Sequence, residues 1–281
     1  MMLAIFGLMY AGLFGLIIGS FLNVCIYRIP EGRTVVKGHS MCMTCQNTLR
    51  AKDLIPVFSW LFLRGKCRYC GAPVASRYAK IEAVTSFVYM LLAWPFIYRF
   101  ILSETTHLSF WAMVELVVLL FIASVLIVSM MIQHDRAIVL KGAPIFIIGL
   151  GMIRHIMLYL QLSDFRSILL SIVLGIGISY SVVLFSAFFT SRPQVRSKVA
   201  SIAKGDGFRF YFLPERRMLR LTDVLFLSTG FALGFPIVIP AAVLYLLVRI
   251  IVQTDEKRRF LIMFINVGLL LGYVLLHVGI F

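Results

Sequence analysis

The chain has 281 residues, of which 61% are hydrophobic and 14% are charged, and its formal net charge is +15. This composition excludes a soluble globular domain and indicates a polytopic membrane protein. A large basic excess also suits nucleic-acid binding, but basic residues confined to loops on one side of a membrane follow the positive-inside pattern instead. We therefore expect an all-α membrane protein that has no nucleic-acid partner.

Apolar runs of about 18 to 22 residues predict the membrane-spanning helices. Such runs lie at 3–25, 83–101, 109–132, 143–161, 167–190 and 260–280. The apolar stretch 224–252 is too long for one span and contains Pro236 and Pro240, so it predicts a tight helical hairpin. The sequence thus predicts about eight transmembrane helices.

Basic residues are concentrated in alternate loops. The loops at 26–82, 133–142, 191–223 and 249–259 hold 24 of the 27 Lys and Arg residues. Because positively charged loops stay in the cytoplasm, every long loop is predicted there and both termini outside. The first span has no basic segment before it and no small-residue cleavage site, so we expect it to be an uncleaved anchor.

The loop between the first two spans carries four cysteines in two C-x-x-C pairs, Cys42 with Cys45 and Cys67 with Cys70. Each pair supplies two sulfurs from one tight turn, which is the pattern of a tetrahedral Zn²⁺ site. Two disulfides are the alternative, but a cytoplasmic loop keeps its thiols reduced. We expect a structural zinc loop with four cysteine ligands and interpret Cys25 as a small core residue.

Several motifs surround these cysteines and resemble the amino-terminal domain of the bacterial prepilin peptidases, the type IV leader peptidases. They are G-S-F-L-N-V at 19–24, R-I-P at 28–30, D-L-I-P-x-x-S-W at 53–60, R-G-x-C-R-Y-C-G at 64–71 and S-R-Y-x-x-x-E at 76–82. The resemblance covers roughly residues 12–86. It implies two parts, a first helix with the zinc loop at 1–82 and a seven-helix peptidase domain at 83–281.

The resemblance also implies a function. Members of that family are membrane aspartic endopeptidases of the bacterial inner membrane that cleave the leader from prepilins or pseudopilins at the cytoplasmic face. Many then methylate the new amino terminus with S-adenosylmethionine. Their dyad shares a proton: one carboxylate draws a proton from water while the other, protonated, polarises the scissile carbonyl.

The first catalytic aspartate of that family lies in an I-D-x-x-x-x-x-I-P-D/N pattern after the third span. An ungapped match places Gln133 there, and Asp135, the sole carboxylate in this loop, fits only if the loop is two residues shorter. We take Asp135 as the candidate. The alternative is an exposed turn acid that pairs with Arg136.

The second catalytic aspartate of the family opens the sixth span in a G-x-G-D pattern. Asp206 follows a glycine, but the basic, aromatic stretch 208–217 comes next and predicts an amphipathic segment on anionic membrane lipid. Asp223 opens an apolar helix, although both family glycines before it are missing, and is our candidate. Its alternative role is a helix N-cap.

These departures leave a second function open, a catalytically inactive relative that acts as a membrane assembly or substrate-holding factor. Three further polar residues lie in or near the spans. Glu115 and Arg154 fall in the outer half, which predicts an ion pair. Glu82 begins the second span, where we expect it to pair with a basic residue of the zinc loop.

Overall fold

The computed structural model describes residues 2–102, 110–136, 140, 142–190, 221–235, 237–251, 268 and 272. Within these ranges the chain forms α-helices and short 3-10 turns, and no strand longer than an isolated bridge. The helices are α1 (Met2–Arg28), α2 (Phe58–Phe62), α3 (Arg77–Leu102), α4 (Phe110–Arg136), α5 (Gly142–Leu162), α6 (Phe165–Thr190), α7 (Leu221–Leu233) and α8 (Val238–Ile251).

Five of these helices, α1 and α3 to α6, are long and apolar enough to cross a membrane. The prediction of an all-α polytopic membrane protein is therefore confirmed. The predicted hairpin is formed by the shorter apolar helices α7 and α8, which are separated at Gly234 and Phe235. Pro240 lies in the first turn of α8, where the missing amide costs no helical hydrogen bond. The predicted last span, 260–280, falls outside the described residues except for Gly268 and Gly272.

Helices α1 and α3 pack antiparallel along a face of small residues. A Cβ atom on Gly15 would lie 2.6 Å from the Cα of Ser86, and one on Gly19 would lie 2.8 Å from the Cα of Glu82. The hydroxyl of Ser86 donates a hydrogen bond to the carbonyl oxygen of Gly12 at 2.8 Å. Small residues let the two backbones approach closely. Membrane helices depend on such close packing, because no hydrophobic driving force holds them together in lipid.

The remaining helices extend this pair into one bundle. Helix α4 packs against α1, α3 and α5, and α7 packs against both α5 and α6. Five large apolar side chains of α4, α5, α6 and α8 have no exposed surface and lie in the core: Ile132, Ile147, Val183, Val238 and Tyr245. Apolar side chains such as Phe14 and Ile17 point outward from α1, as lipid-facing positions do.

The helix directions place several chain segments at the same end of the bundle. Helix α5 returns along α4, and α6 returns along α5 after a two-residue link. Helix α7 runs antiparallel to α6, because Gly230 packs on Gly175 whereas the amide of Phe235 bonds to the carbonyl of Ser171. The starts of α3, α5 and α7 and the ends of α1 and α4 therefore lie at one end, which we term the cysteine end.

Candidate functional site

The two cysteine pairs of the loop adopt the same backbone turn. The amide of Gln46 donates to the carbonyl of Cys42 at 2.9 Å, and the amide of Gly71 donates to the carbonyl of Cys67 at 2.9 Å. Gln46 and Gly71 both have positive φ angles, 57° and 71°, which turn the chain back after each pair. The repeated C-x-x-C spacing therefore produces two matching turns, which we term knuckles.

The four thiols of the knuckles converge on one point. The sulfur atoms of Cys42, Cys45, Cys67 and Cys70 all lie within 4.8 Å of one another, and those of Cys42 and Cys70 are 3.9 Å apart. All are free of disulfides. A tetrahedral Zn²⁺ with bonds of about 2.3 Å needs sulfurs roughly 3.8 Å apart. Both the donor set and its spacing could therefore hold a metal ion.

The acidities of these thiols differ because their hydrogen bonds differ. The backbone amides of Cys45 and Thr44 donate to the sulfur of Cys42 and lower its pKa to about 6. The amide of Ala72 acts in the same direction on Cys70, but burial and hydrogen bonds to the other three thiols raise the pKa of Cys70 to about 11. Cys42 is thus readily deprotonated, whereas Cys70 keeps its proton. A cation that binds thiolates would take the place of that proton.

Asp53 fixes the second knuckle to the rest of the loop. Its carboxylate accepts hydrogen bonds from Arg68 Nε at 2.5 Å, from the Tyr69 hydroxyl at 2.9 Å and from the amide of Arg50 at 3.1 Å. Burial opposes its ionisation, but these three donors hold the pKa of Asp53 below its usual value. Asp53 lies in the D-L-I-P motif and its partners lie in R-G-x-C-R-Y-C-G, so the two motifs are recognisable because they contact each other.

Glu82 joins the loop to the membrane helices. Its carboxylate is buried and accepts the backbone amide of Val57 at 2.7 Å. The prediction that Glu82 pairs with a basic residue of the loop is wrong, because a buried backbone donor occupies the carboxylate instead. The side-chain amide of Asn23 donates to the carbonyl of Tyr78 at 3.1 Å, so α1 is tied to the start of α3 at the same level.

Asp135 lies at the end of α4 and contacts the start of α3. The guanidinium of Arg77 forms an ion pair with its carboxylate, and His134 Nδ1 lies 3.3 Å away. The alternative pairing of Asp135 with Arg136 is wrong: Arg136 instead donates to Glu31 at 2.9 Å. Arg77 belongs to the S-R-Y motif, so a residue that the sequence identified only as part of a resemblance proves to be the partner of a candidate catalytic acid.

Gln133, which occupies the family position of the first aspartate, shows an unusual feature. Its side-chain carbonyl oxygen is buried and has no hydrogen-bond partner in the described part of the chain. A buried acceptor without a donor costs free energy, so no hydrogen bond stabilises this side-chain oxygen.

Asp223 is the third residue of α7, and its backbone therefore lies at the cysteine end. Its side chain is outside the described residues, as is the whole of the competing Asp206 and of the stretch 208–217. Asp135 and the backbone of Asp223 thus share one end of the bundle. The position of Asp223 in the first turn of α7 agrees with the expectation that this acid opens an apolar helix.

The predicted ion pair between Glu115 and Arg154 is present. Arg154 Nε and Nη2 lie 3.3 and 3.2 Å from Glu115 Oε1. The sequence did not predict that Arg154 also donates to the carbonyl of Leu233 and that His155 Nε2 lies 2.7 Å from the carbonyl of Phe231. These carbonyls end α7, so the two side chains stabilise a helix terminus inside the bundle. This cluster lies far from the cysteine end.

The architecture defines a class: a helical membrane protein whose first two spans are joined by a four-cysteine loop. Residues 13–96 match the family model described as Bacterial Peptidase A24 N-terminal domain. The amino-terminal part of the chain is therefore similar to that domain, and its resemblance to the bacterial prepilin peptidases is confirmed.

Several curated relatives match between about a quarter and a third of the chain. A prepilin leader peptidase/N-methyltransferase of Myxococcus xanthus is 43% identical over 75 residues, which are 27% of this chain and 22% of the relative. A type 4 prepilin-like proteins leader peptide-processing enzyme of Escherichia coli is 40% identical over 101 residues, 29% of this chain and 38% of the relative. A prepilin leader peptidase/N-methyltransferase of Dichelobacter nodosus is 34% identical over 117 residues, which are 32% of this chain and 41% of the relative.

The matches thus span less than half the length of these curated relatives. No solved structure matches the chain.

Proposed function

We propose that this protein is a prepilin peptidase, a membrane aspartic endopeptidase that cleaves the leader from type IV prepilins or pseudopilins. The match of residues 13–96 to the peptidase A24 N-terminal domain carries the proposal. The position of Asp135 and of the start of α7 at the cysteine end supports it, since both candidate acids share one end of the bundle with that domain.

The proposed topology is that of a multi-pass protein of the bacterial inner membrane with its cysteine loop in the cytoplasm. The concentration of Lys and Arg in the loops of the cysteine end supports this orientation. The leader of the substrate would then be cut at the cytoplasmic membrane face. We propose two domains: residues 1–82 form the first helix and the cysteine loop, and residues 83–281 form the peptidase domain.

The metal of the loop is proposed to be zinc, held by Cys42, Cys45, Cys67 and Cys70. Zn²⁺ favours four thiolates in tetrahedral geometry, and the convergence of the sulfurs within 4.8 Å fits it. With no open coordination position, such an ion is structural: it holds the two knuckles together. The hydrogen bonds of Asp53 to Arg68 and Tyr69 would then position the second knuckle against the loop.

Asp135 and Asp223 are proposed as the catalytic dyad. One aspartate, ionised, accepts a proton from water as the water oxygen attacks the scissile carbonyl carbon, while the other, protonated, donates to the carbonyl oxygen. Collapse of the tetrahedral intermediate breaks the C–N bond, the first aspartate gives its proton to the leaving amine, and the second aspartate recovers its proton from the former carbonyl oxygen. Because Arg77 pairs with one carboxylate oxygen of Asp135, approach of the substrate to that oxygen requires displacement of the guanidinium.

Methylation of the new amino terminus with S-adenosylmethionine is the second activity in the proposal. It comes from the names of the relatives in Myxococcus xanthus and Dichelobacter nodosus, which include N-methyltransferase. No residue of this chain is assigned to that cofactor.

The test is a leader-cleavage assay with purified protein in phospholipid vesicles. A prepilin from the same genome is added, and mass spectrometry measures removal of the leader and any gain of a methyl group from S-adenosylmethionine. We expect loss of the leader. An uncut prepilin, with an active prepilin peptidase as the positive control, would reject the peptidase and favour a non-catalytic assembly or substrate-holding factor.

A further inference from the structure

Helix α2 of the cysteine loop exposes an apolar face. Phe58, Leu61 and Phe62 are 45%, 60% and 80% exposed, and their spacing places them on one side of the helix. Trp60 points the other way: its ring lies against Gly65 and its indole N–H donates to the carbonyl of Val74 at 3.0 Å. The loop thus anchors α2 through one side and leaves the aromatic and aliphatic side uncovered.

The level of α2 along the bundle is fixed by Glu82. The amide of Val57, the residue directly before α2, donates to the carboxylate of Glu82 at 2.7 Å. Glu82 lies five residues into α3, about 8 Å from its first residue at 1.5 Å per residue. The candidate span begins at Arg77. Because the hydrocarbon core is about 30 Å thick inside a bilayer of about 40–45 Å, the headgroup region is roughly 5–7 Å thick on each side, and this level corresponds to its inner boundary with the acyl chains.

The backbone at Val57 shows how α2 is held at that level. Val57 has φ 60° and ψ −51°, and the amide of Phe58 bonds to the carbonyl of Pro56 at 2.6 Å, which together define a γ-turn. This turn is strained for a β-branched residue. The hydrogen bond from Val57 to the buried Glu82 compensates part of that strain.

Basic residues flank the apolar face. Arg64 and Lys66 follow α2 directly, and both are exposed. No acidic residue lies between Asp53 and Glu82. An apolar helix face at headgroup level with cations beside it is complementary to an anionic phospholipid surface.

We propose that α2 is an interfacial anchor, which inserts Phe58, Leu61 and Phe62 among the lipids at the cysteine end while Arg64 and Lys66 contact anionic headgroups. The anchor holds the cysteine loop down on the bilayer beside α1 and α3. It involves neither the metal nor the candidate aspartates, so it stands apart from the proposed peptidase activity.

The test uses the full-length protein in vesicles of phosphatidylcholine and phosphatidylglycerol in equal amounts. The photoreactive amino acid p-benzoylphenylalanine is placed at Phe62, at Phe21 or at Met43 in turn, and lipid adducts are measured by mass spectrometry after irradiation. Phe21 is an exposed residue of α1 close to Gly19, which packs on Glu82, so it is the positive control. Met43 is an exposed apolar residue of the first knuckle and is the matched negative control.

We expect lipid adducts at Phe62 in the same range as at Phe21, and near background at Met43. We also expect phosphatidylglycerol to be enriched among the Phe62 adducts, and the enrichment to be lost in the Arg64→Gln/Lys66→Gln variant. Adducts at Phe62 with protein in place of lipid, or no lipid adduct while Phe21 gives one, would overturn the proposal. Equal yields of the two lipids would overturn the role of the basic residues.

Discussion

The two halves of the molecule use polar side chains in different ways. In the loop between α1 and α3, polar groups link segments that are close in sequence: Asp53 binds Arg68 and Tyr69, and Glu82 at the start of α3 binds the amide of Val57. Within the described helices from α4 to α8, buried polar side chains connect helices that are distant in sequence. One example is Arg154, which contacts both Glu115 and the end of α7.

The difference indicates how each region is stabilised. The loop between α1 and α3 has little buried apolar surface, and among its apolar side chains Phe62 and Met43 are exposed. Small domains with so little core depend on metals or other cross-links. The later helices have a continuous apolar core and need polar contacts only where a helix ends inside the bundle. We therefore expect metal removal to affect the first region and leave the second intact.

The largest expected effect follows from replacing a cysteine. Cys67→Ser should reduce bound zinc from about one equivalent to nearly none, because a structural site needs all four thiolates. Elemental analysis of the purified protein measures this. Hydrogen exchange should accelerate in the segment 41–74 only. Cys25→Ala is the matched control, since Cys25 lies in the helical core. A full equivalent of zinc in the Cys67 variant would contradict the proposed four-cysteine zinc site.

The next effect concerns the far end of the bundle. Arg154→Met leaves Glu115 without its cation and the carbonyl of Leu233 without its donor, and loss of one partner from a buried pair costs about 3–5 kcal/mol. Denaturant unfolding in detergent micelles measures the change, which should leave bound zinc unaltered. The double variant Arg154→Met/Glu115→Leu should recover part of the loss. A single variant as stable as the wild type would contradict the role of the pair.

A smaller effect is expected at the contact of α1 with α3. Gly15→Ala places a methyl group 2.6 Å from the Cα of Ser86 and should destabilise the protein by about 1–3 kcal/mol, since backbone atoms cannot yield as a side chain does. Gly149→Ala in α5 is the matched control, because its methyl group would meet nothing within 4 Å. The same unfolding measurement compares them, and equal stabilities would show that the helices can separate at no cost.

The smallest effect is a pH dependence at the start of α6. Asp164 accepts the amides of Arg166 and Ser167 at 3.1 and 3.3 Å, and the Ser167 hydroxyl lowers the pKa of Asp164. A lowered pKa means that the cap stabilises α6 above the ordinary aspartate pKa of about 3.9 and is lost as pH falls through the folded value. Ser167→Ala should shift this loss to higher pH. Amide exchange at Arg166, corrected for intrinsic rates, measures it, and an unshifted midpoint would contradict the assignment.

The first region could be predicted from the sequence in most of its parts. The C-x-x-C spacing predicted converging thiols, because each pair supplies two sulfurs from one tight turn. The ion pair of Glu115 with Arg154 was also predictable, since two opposite charges in an apolar bundle have few other partners. The all-α membrane fold follows from the apolar runs alone.

Other features could not be predicted because they depend on how distant segments meet. Nothing local to Asp135 indicates that Arg77 pairs with it, or that Arg136 turns instead to Glu31. Glu82 accepts the amide of Val57 because the chain turns with a positive φ angle at Val57. A β-branched residue rarely adopts this conformation, so the sequence does not predict the contact. The side-chain contacts of α7 with Arg154 and His155 likewise arise only after α5 and α7 have packed.

The most direct test of the central claim, that Asp135 and Asp223 act together in leader cleavage, is a cleavage assay on a set of asparagine variants. Wild type, Asp135→Asn, Asp223→Asn and the matched control Asp206→Asn are compared with one prepilin in the same vesicles, at equal zinc content. The account predicts that the Asp135 and Asp223 variants leave the leader uncut while Asp206→Asn cleaves at the wild-type rate. Full cleavage by either of the first two variants, or loss of cleavage in Asp206→Asn alone, would contradict it.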